Sequence, residues 1–186
     1  MPLRYFLSLD PAHIAVWKIE ESEEDMWKKV RLSTAEEQYL QSISHPRRRL
    51  ESLAARAALT TLRDHYSHPF FSLSHSFPWA AAATAPYPIA IDLEKIRPFP
   101  EKVLSYFAQS IEQQMITNKI ITPWHVWCAK EVSYKLLCHE FTEVSFKREL
   151  IFDGKEVIFI RMGIKRHIRV DFIEEPEWLL AVGRFT

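Results

Sequence analysis

Glycine is scarce in this sequence: the 186 residues include only Gly154, Gly163 and Gly183. The phosphate-binding loops of P-loop and dinucleotide-binding proteins need two or three glycines close together before a helix. The chain has no such cluster, so both of these nucleotide-binding classes are excluded. Any phosphate group must therefore be bound by side chains or with the help of a metal ion.

Cysteine is also scarce, and the sequence shows neither a signal peptide nor a membrane span. The two cysteines, Cys128 and Cys138, fall on one predicted helix, where a rise of about 1.5 Å per residue separates them by roughly 15 Å, too far for a mutual disulfide. The N-terminus lacks the basic start, apolar centre and cleavage site of a signal peptide, and no apolar run is long enough for a membrane span. We therefore expect a reduced, cytoplasmic protein without a membrane partner.

The chain has no excess of charge, because 24 Lys and Arg residues balance 24 Asp and Glu residues. General binders of nucleic acids or anionic membranes normally carry a basic excess, so we expect neither partner. A local phosphate pocket remains compatible with this balance. Hydrophobic residues make up 47% of the chain, including 12 Phe and 6 Trp, which is enough for a sizeable core.

Strand and helix patterns fill the whole chain. The first half predicts two opening strands, a short acidic helix, a helix with a Ser33–Glu36 capping box and a long helix opened by His45-Pro46, followed by the strands FFSLSHS and WAAAATA. The second half predicts the strand IAIDLE, a helical stretch PEKVLSYFAQSIEQQM, a helix opened by Thr122-Pro123 and the strands EVIFIRM, HIRVDFI and EWLLAVGRF. We place the halves at residues 1–87 and 88–186.

Asp92 and Glu94 form the first candidate site. They lie two residues apart on a predicted strand, so both project from one face, while Ile91 and Leu93 project from the other. Adjacent carboxylates repel each other unless one is protonated or a cation lies between them. The pair therefore indicates either a solvated strand edge or a site for a hard cation, Mg²⁺ or Mn²⁺.

The helix over residues 123–139 supplies a third carboxylate. With a period of 3.6 residues, Glu131 and Lys135 share one stripe, while Val132, Leu136 and Leu137 face the core. One interpretation is an ordinary surface pair, worth about 0.2–0.5 kcal/mol. The other is that Glu131 and Lys135 belong to the same polar site as the strand carboxylates.

The first half contains candidate phosphate-binding residues. Arg49 and Arg56 lie seven residues apart on one side of the long helix, and the guanidinium group matches phosphate geometry, although a solvated surface is the alternative. His75 lies on the opposite strand face from Ser74 and Ser76. A single histidine of this kind is more typical of a structural hydrogen bond than of a ligand contact.

Three segments occur in a fixed order: SLSHS, IAIDLEKIRP and WCAKEVSYK. They resemble the signature of 4′-phosphopantetheinyl transferases of the surfactin-synthetase-activating type. In that family a Ser-His-Ser strand and a Gly-Ile-Asp-x-Glu strand precede a helix with Trp-x-x-Lys-Glu-(Ala/Ser)-x-x-Lys. Order, spacing and local structure agree over about residues 45–140, and three motifs in register are more specific than any one of them.

The resemblance implies a fold and a reaction. The fold would be α+β, a pseudo-dimer of two similar subdomains that each pack a small, mainly antiparallel sheet with helices, with coenzyme A bound in the cleft between them. A monomer would already contain the complete cleft. The enzyme would transfer the phosphopantetheine arm of coenzyme A to a serine of an apo carrier protein, with Mg²⁺ or Mn²⁺ as cofactor, and would release 3′,5′-ADP.

The resemblance also implies roles for individual residues. The metal ligands would be Asp92, Glu94 and Glu131, and Glu131 also corresponds to the general base proposed for some members. Lys135 corresponds to a lysine that contacts the coenzyme A phosphates and would stabilise the leaving group, while the segment Ser74-His75 would contact coenzyme A.

The sequence departs from the family pattern at several positions. Ala90 and Val132 replace a glycine and a small residue, and a Gly-Lys-Pro loop is reduced to residues 67–69. Lysines that contact the nucleotide in some members are not evident, so we assign that contact to Arg49 and Arg56. These departures leave open a degenerate member that binds coenzyme A or a carrier protein without catalysis. A purely structural protein is a third reading.

Overall fold

The structure is a computed structural model that describes residues 3–186, with side chains from residue 5 onward. This part of the chain contains two antiparallel sheets, of four and five strands, and six helices. The α+β class, with an antiparallel sheet and helices in each half, is therefore confirmed. By its internal contacts the chain divides into two compact units, Met1–Tyr87 and Pro88–Thr186.

The first unit packs three helices with a sheet in the order β1-β2-β4-β3. Its predicted elements are confirmed, and so is the Ser33–Glu36 capping box. Pro46 occupies the first turn of the longest helix, where its missing N–H costs no hydrogen bond. The bounds are β1 Leu3–Leu9, β2 Ala12–Lys18, α1 Glu23–Trp27, α2 Thr34–Ser42, α3 Pro46–Arg63, β3 Phe70–Ser76 and β4 Trp79–Ala85.

Small side chains allow α3 to pack closely on β4 and β2. Every residue of β4 is buried, and the helix turns a stripe of buried residues towards the sheet: Leu53, Ala54, Ala57 and Ala58. Because alanine adds little bulk on either surface, the helix backbone lies near the strands. This packing fixes the position of β3, the strand that carries Ser74 and His75.

The second unit has the sheet order β5-β9-β8-β7-β6. Two expectations are corrected here: the helical stretch after residue 100 is two helices separated at Ala108 and Gln109, and the short strand β6 was not predicted. The bounds are β5 Ala90–Lys95, α4 Glu101–Phe107, α5 Ser110–Thr117, α6 Pro123–Leu137, β6 Leu150–Phe152, β7 Glu156–Arg161, β8 Ile164–Glu175 and β9 Trp178–Phe185.

Helix α6 begins as the sequence predicts and packs on β5 and β9. Thr122 caps it, Pro123 follows in the first turn, and the predicted core residues Val132, Leu136 and Leu137 are buried. A Cβ atom built on Gly183 of β9 would lie 2.9 Å from a methyl group of Val132. Glycine at this position therefore lets α6 approach the sheet.

Lys130 is buried completely, unlike its neighbour Glu131. Its ammonium donates hydrogen bonds to Glu112 Oε2 at 2.7 Å and to the carbonyls of Phe107 and Phe146 at 2.8 and 2.9 Å. Glu112 is also fully buried, and its Oε1 accepts from the N–H of Phe152 at 2.8 Å. This network joins α6 to α5 and β6, so Lys130 has a structural role.

The structure also tests the predictions about the cysteines and about membrane-spanning helices. Both cysteines are free thiols, Cys128 buried and Cys138 exposed, which confirms that they form no disulfide. Within residues 3–186, none of the helices has the length and apolar character needed to cross a membrane.

Candidate functional site

The candidate site lies where α6 packs on β5. Asp92 and Glu94 come from the strand, and Glu131 and Lys135 from the helix. Asp92 is only 7% exposed and Glu94 is half-buried, because the helix covers this face of the strand. The second unit therefore brings together all four polar residues that sequence analysis selected within it.

Lys135 is bound directly to the strand. Its Nζ atom donates a hydrogen bond to Asp92 Oδ1 at 2.9 Å and another to the carbonyl oxygen of Ile91 at 2.7 Å. The side chain of Asp92 is 9% exposed and that of Lys135 is 31% exposed. The pair is thus partly removed from water, unlike an ordinary ion pair on a helix surface, and it spans 43 residues of sequence.

Glu131 lies in an electrostatically unfavourable position for a carboxylate. Burial raises its pKa from the ordinary 4.5 to about 7, and the negative charges of Asp92 and, less strongly, Glu94 act in the same direction. The positive charge of Lys135 lowers the pKa of Glu131 but does not cancel these effects. The three carboxylates are therefore close enough to influence one another.

Two further residues border the group. Arg97 Nη2 lies 3.7 Å from Glu94 Oε2, a loose contact in which the arginine side chain is largely exposed. Cys128, one turn before Glu131, is buried, and its pKa is raised well above the ordinary value by burial and by the charges of Asp92 and Glu94. Sequence analysis did not place Cys128 here, although its position three residues before Glu131 on the helix was a usable signal.

The donor set fits a hard divalent cation in its chemistry. Asp92, Glu94 and Glu131 supply oxygen ligands of the kind that Mg²⁺ and Mn²⁺ prefer. Their mutual repulsion is the kind that a cation relieves. In the described part of the chain, however, no three His, Cys, Asp or Glu side chains converge closely enough to hold an ion as they stand. The cation beside Asp92 is the ammonium group of Lys135.

Glu131 is expected to make stability depend on pH when EDTA removes divalent metals. In the folded protein the pKa of its carboxyl group is about 7, so the group keeps its proton up to about that pH. In the unfolded chain the pKa is the ordinary 4.5, so the proton is lost at lower pH. The free energy of unfolding should therefore fall as the pH rises through this window, by up to about 3 kcal/mol, and then level off. Urea unfolding at several pH values measures the effect. Glu131→Gln should remove it; identical pH profiles of the two proteins would contradict this assignment.

Ser74 and His75 lie on β3 of the first unit. His75 Nδ1 is 3.3 Å from Glu51 Oε2, and Glu51 also accepts a hydrogen bond from the N–H of Phe77 at 3.2 Å. Ser74 is buried. His75 is thus oriented by a carboxylate of α3, and its predicted contact with coenzyme A stays a prediction.

Arg49 and Arg56 are engaged within the first unit. Arg49 donates to both carboxylate oxygens of Glu23, at 2.5 and 3.1 Å, and to the carbonyl of Ile43. Arg56 donates to the hydroxyl of Ser52 at 2.7 Å, and its side chain is 14% exposed. Phosphate binding by either guanidinium would have to exchange or extend these contacts, and it remains a prediction.

The comparisons with known proteins give no family. No protein-family model matches the chain, and no curated protein matches it significantly. The three carboxylates and the lysine lie in the second unit, where α6 packs on β5; the remaining predicted residues, Arg49, Arg56, Ser74 and His75, lie in the first unit.

Proposed function

We propose that the protein transfers the 4′-phosphopantetheine arm of coenzyme A to a serine of an apo carrier protein and releases 3′,5′-ADP. The observation that carries this proposal is the Asp92–Lys135 ion pair beside Glu131 and Glu94. The order of the three sequence motifs supports it, and two of these motifs supply the four residues. The chemistry of the site also matches the reaction.

A gain in folding stability does not explain why these charged side chains are grouped together. Removing charged groups from water costs several kcal/mol per ion, on the order of the Coulombic gain of the pair that forms. Here three carboxylates face one lysine, so burial leaves repulsion that the lysine does not balance, as the raised pKa of Glu131 indicates. Unfavourable charge clusters of this kind are typical of functional sites.

Glu131 is suited to act as the general base. In the absence of a metal ion the pKa of Glu131 is about 7, and a carboxylate within reach of a hydroxyl group can accept its proton. In the reaction, the serine hydroxyl oxygen forms a bond to the phosphorus that carries the pantetheine arm, and the bond from this phosphorus to the oxygen of 3′,5′-ADP breaks. The serine proton passes to Glu131, and the leaving phosphate takes the electron pair.

Lys135 is suited to stabilise the charge that develops on the leaving phosphate. Phosphoryl transfer depends mainly on positioning and on electrostatic stabilisation of the phosphate oxygens. An ammonium group on a flexible stem, one helical turn from the base, meets both needs. Asp92, Glu94 and Glu131 would hold Mg²⁺ or Mn²⁺, which when bound supplies Lewis-acid stabilisation of phosphate charge.

A thermal-shift experiment separates the transferase from a degenerate binder. A ligand that binds only the folded state raises the melting temperature. For the transferase we expect coenzyme A to raise it markedly with Mg²⁺ and only weakly with EDTA, because Mg²⁺ held by the carboxylates would offset their repulsion of the phosphate groups. Equal stabilisation under both conditions would favour a metal-independent binder, and no stabilisation under either would contradict the proposal.

A further inference from the structure

The position of Lys135 raises the question of how a metal ion could reach Asp92. The ammonium group and the ion would carry like charges at nearly the same place, and at separations under about 4 Å this repulsion is strong in a partly buried site. The two cations therefore compete for one carboxylate.

We propose that Lys135 is an internal counter-ion that holds Asp92 until a divalent cation displaces it, and that its ammonium group then moves to the phosphate of the substrate. The inference rests on the proposed function only for the identity of that phosphate, coenzyme A. The exchange itself follows from the contacts of Lys135 and concerns regulation of the site: the ligand-free protein keeps its acidic residues partly neutralised.

This exchange requires the side chain of Lys135 to move, while Asp92 stays in place. Its side chain is 31% exposed, whereas that of Asp92 is 9% exposed, so the ammonium end can swing towards solvent while the carboxylate stays buried. Four methylene groups give lysine this reach. The hydrogen bond to the carbonyl of Ile91 shows that the present position of Lys135 is a defined one.

The exchange predicts cooperative binding of metal and coenzyme A. A phosphate that attracts Lys135 frees Asp92 for the metal, and a metal at Asp92 frees Lys135 for the phosphate. Such coupling is reciprocal: each ligand raises the affinity for the other by the same factor. Without a lysine at position 135 this contribution to the coupling should disappear, and the coupling should weaken.

The test compares Mn²⁺ affinity in wild type, Lys135→Met and Arg97→Met by electron paramagnetic resonance of free Mn²⁺. Lys135→Met should bind Mn²⁺ about ten-fold more tightly, since a charged hydrogen bond to Asp92 no longer competes. Arg97→Met is the matched control, because it removes one positive charge beside Glu94 without freeing Asp92. Its effect should be about two-fold, as expected for an exposed charge.

Equal affinity changes in Lys135→Met and Arg97→Met, or no change in either, would overturn the exchange; so would undetectable Mn²⁺ binding in all three proteins. Thermal unfolding followed by circular dichroism shows whether each variant is folded. If Lys135→Met is unfolded, Lys135→Gln replaces it as the test variant. A second titration with coenzyme A should tighten Mn²⁺ binding in wild type and in Arg97→Met, and clearly less in Lys135→Met. Tighter Mn²⁺ binding by Lys135→Met, with no effect of coenzyme A on any protein, would retain the exchange at Asp92 and contradict the proposed substrate.

Discussion

Glu131→Gln is expected to lower the rate of phosphopantetheine transfer by about 10²–10⁴-fold, the range of a lost general base. Glutamine keeps the size of the side chain but accepts no proton, and it also weakens the oxygen set proposed to hold the metal. The rate of carrier modification at saturating coenzyme A and Mg²⁺ measures the change. The fold should persist, because the substitution relieves repulsion from Asp92.

Glu174→Gln is the matched control for this variant. Glu174 also belongs to the second unit, but its side chain is 62% exposed and lies 3.2 Å from His125 Nε2, away from the candidate site. We expect its rate to equal that of wild type. A Glu131→Gln protein with full activity would show that this carboxylate is neither base nor metal ligand.

Lys130→Met is expected to reduce the free energy of unfolding by about 3–5 kcal/mol, the cost of leaving one charge of a buried pair without its partner. Methionine fills a similar volume, so the loss comes mainly from Glu112 and from the carbonyls of Phe107 and Phe146, which lose their donor. Urea unfolding followed by circular dichroism measures it. This loss is a large fraction of the total, since domains are stable by only about 5–15 kcal/mol.

Two further proteins test the cause of that loss. Lys130→Met combined with Glu112→Gln removes both charges and should recover a substantial part of the stability. Lys147→Met removes an exposed lysine that donates to one carbonyl, and it should change stability by no more than about 0.5 kcal/mol. A Lys130→Met protein as stable as the Lys147→Met protein would contradict the structural role of Lys130.

Local sequence patterns were sufficient to predict much of the fold. Caps, helix-opening prolines and strand periodicity predicted most elements, because these signals act within a few residues. The break between α4 and α5 escaped detection because neither glycine nor proline marks it; Glu112 Oε2 accepts from the N–H of Gln109 there instead. Strand β6 has only three residues, although Asp153-Gly154 after it is a hairpin signal.

The candidate site was predictable in part for the same reason. Spacing placed Asp92 and Glu94 on one strand face and Glu131 with Lys135 on one helix stripe. Spacing could not separate Lys130 from Glu131, because their different partners are set by tertiary packing: Glu112 lies 18 residues away. Nor could it indicate that Lys135 binds Asp92, across 43 residues.

The most direct test of the proposed function is the intact mass of purified apo acyl and peptidyl carrier proteins after incubation with this protein, coenzyme A and Mg²⁺. We expect a gain of one phosphopantetheine arm per carrier, abolished by EDTA and strongly slowed by Glu131→Gln. No gain in mass on any of these carriers, with a protein that is folded and binds coenzyme A, would contradict the transferase.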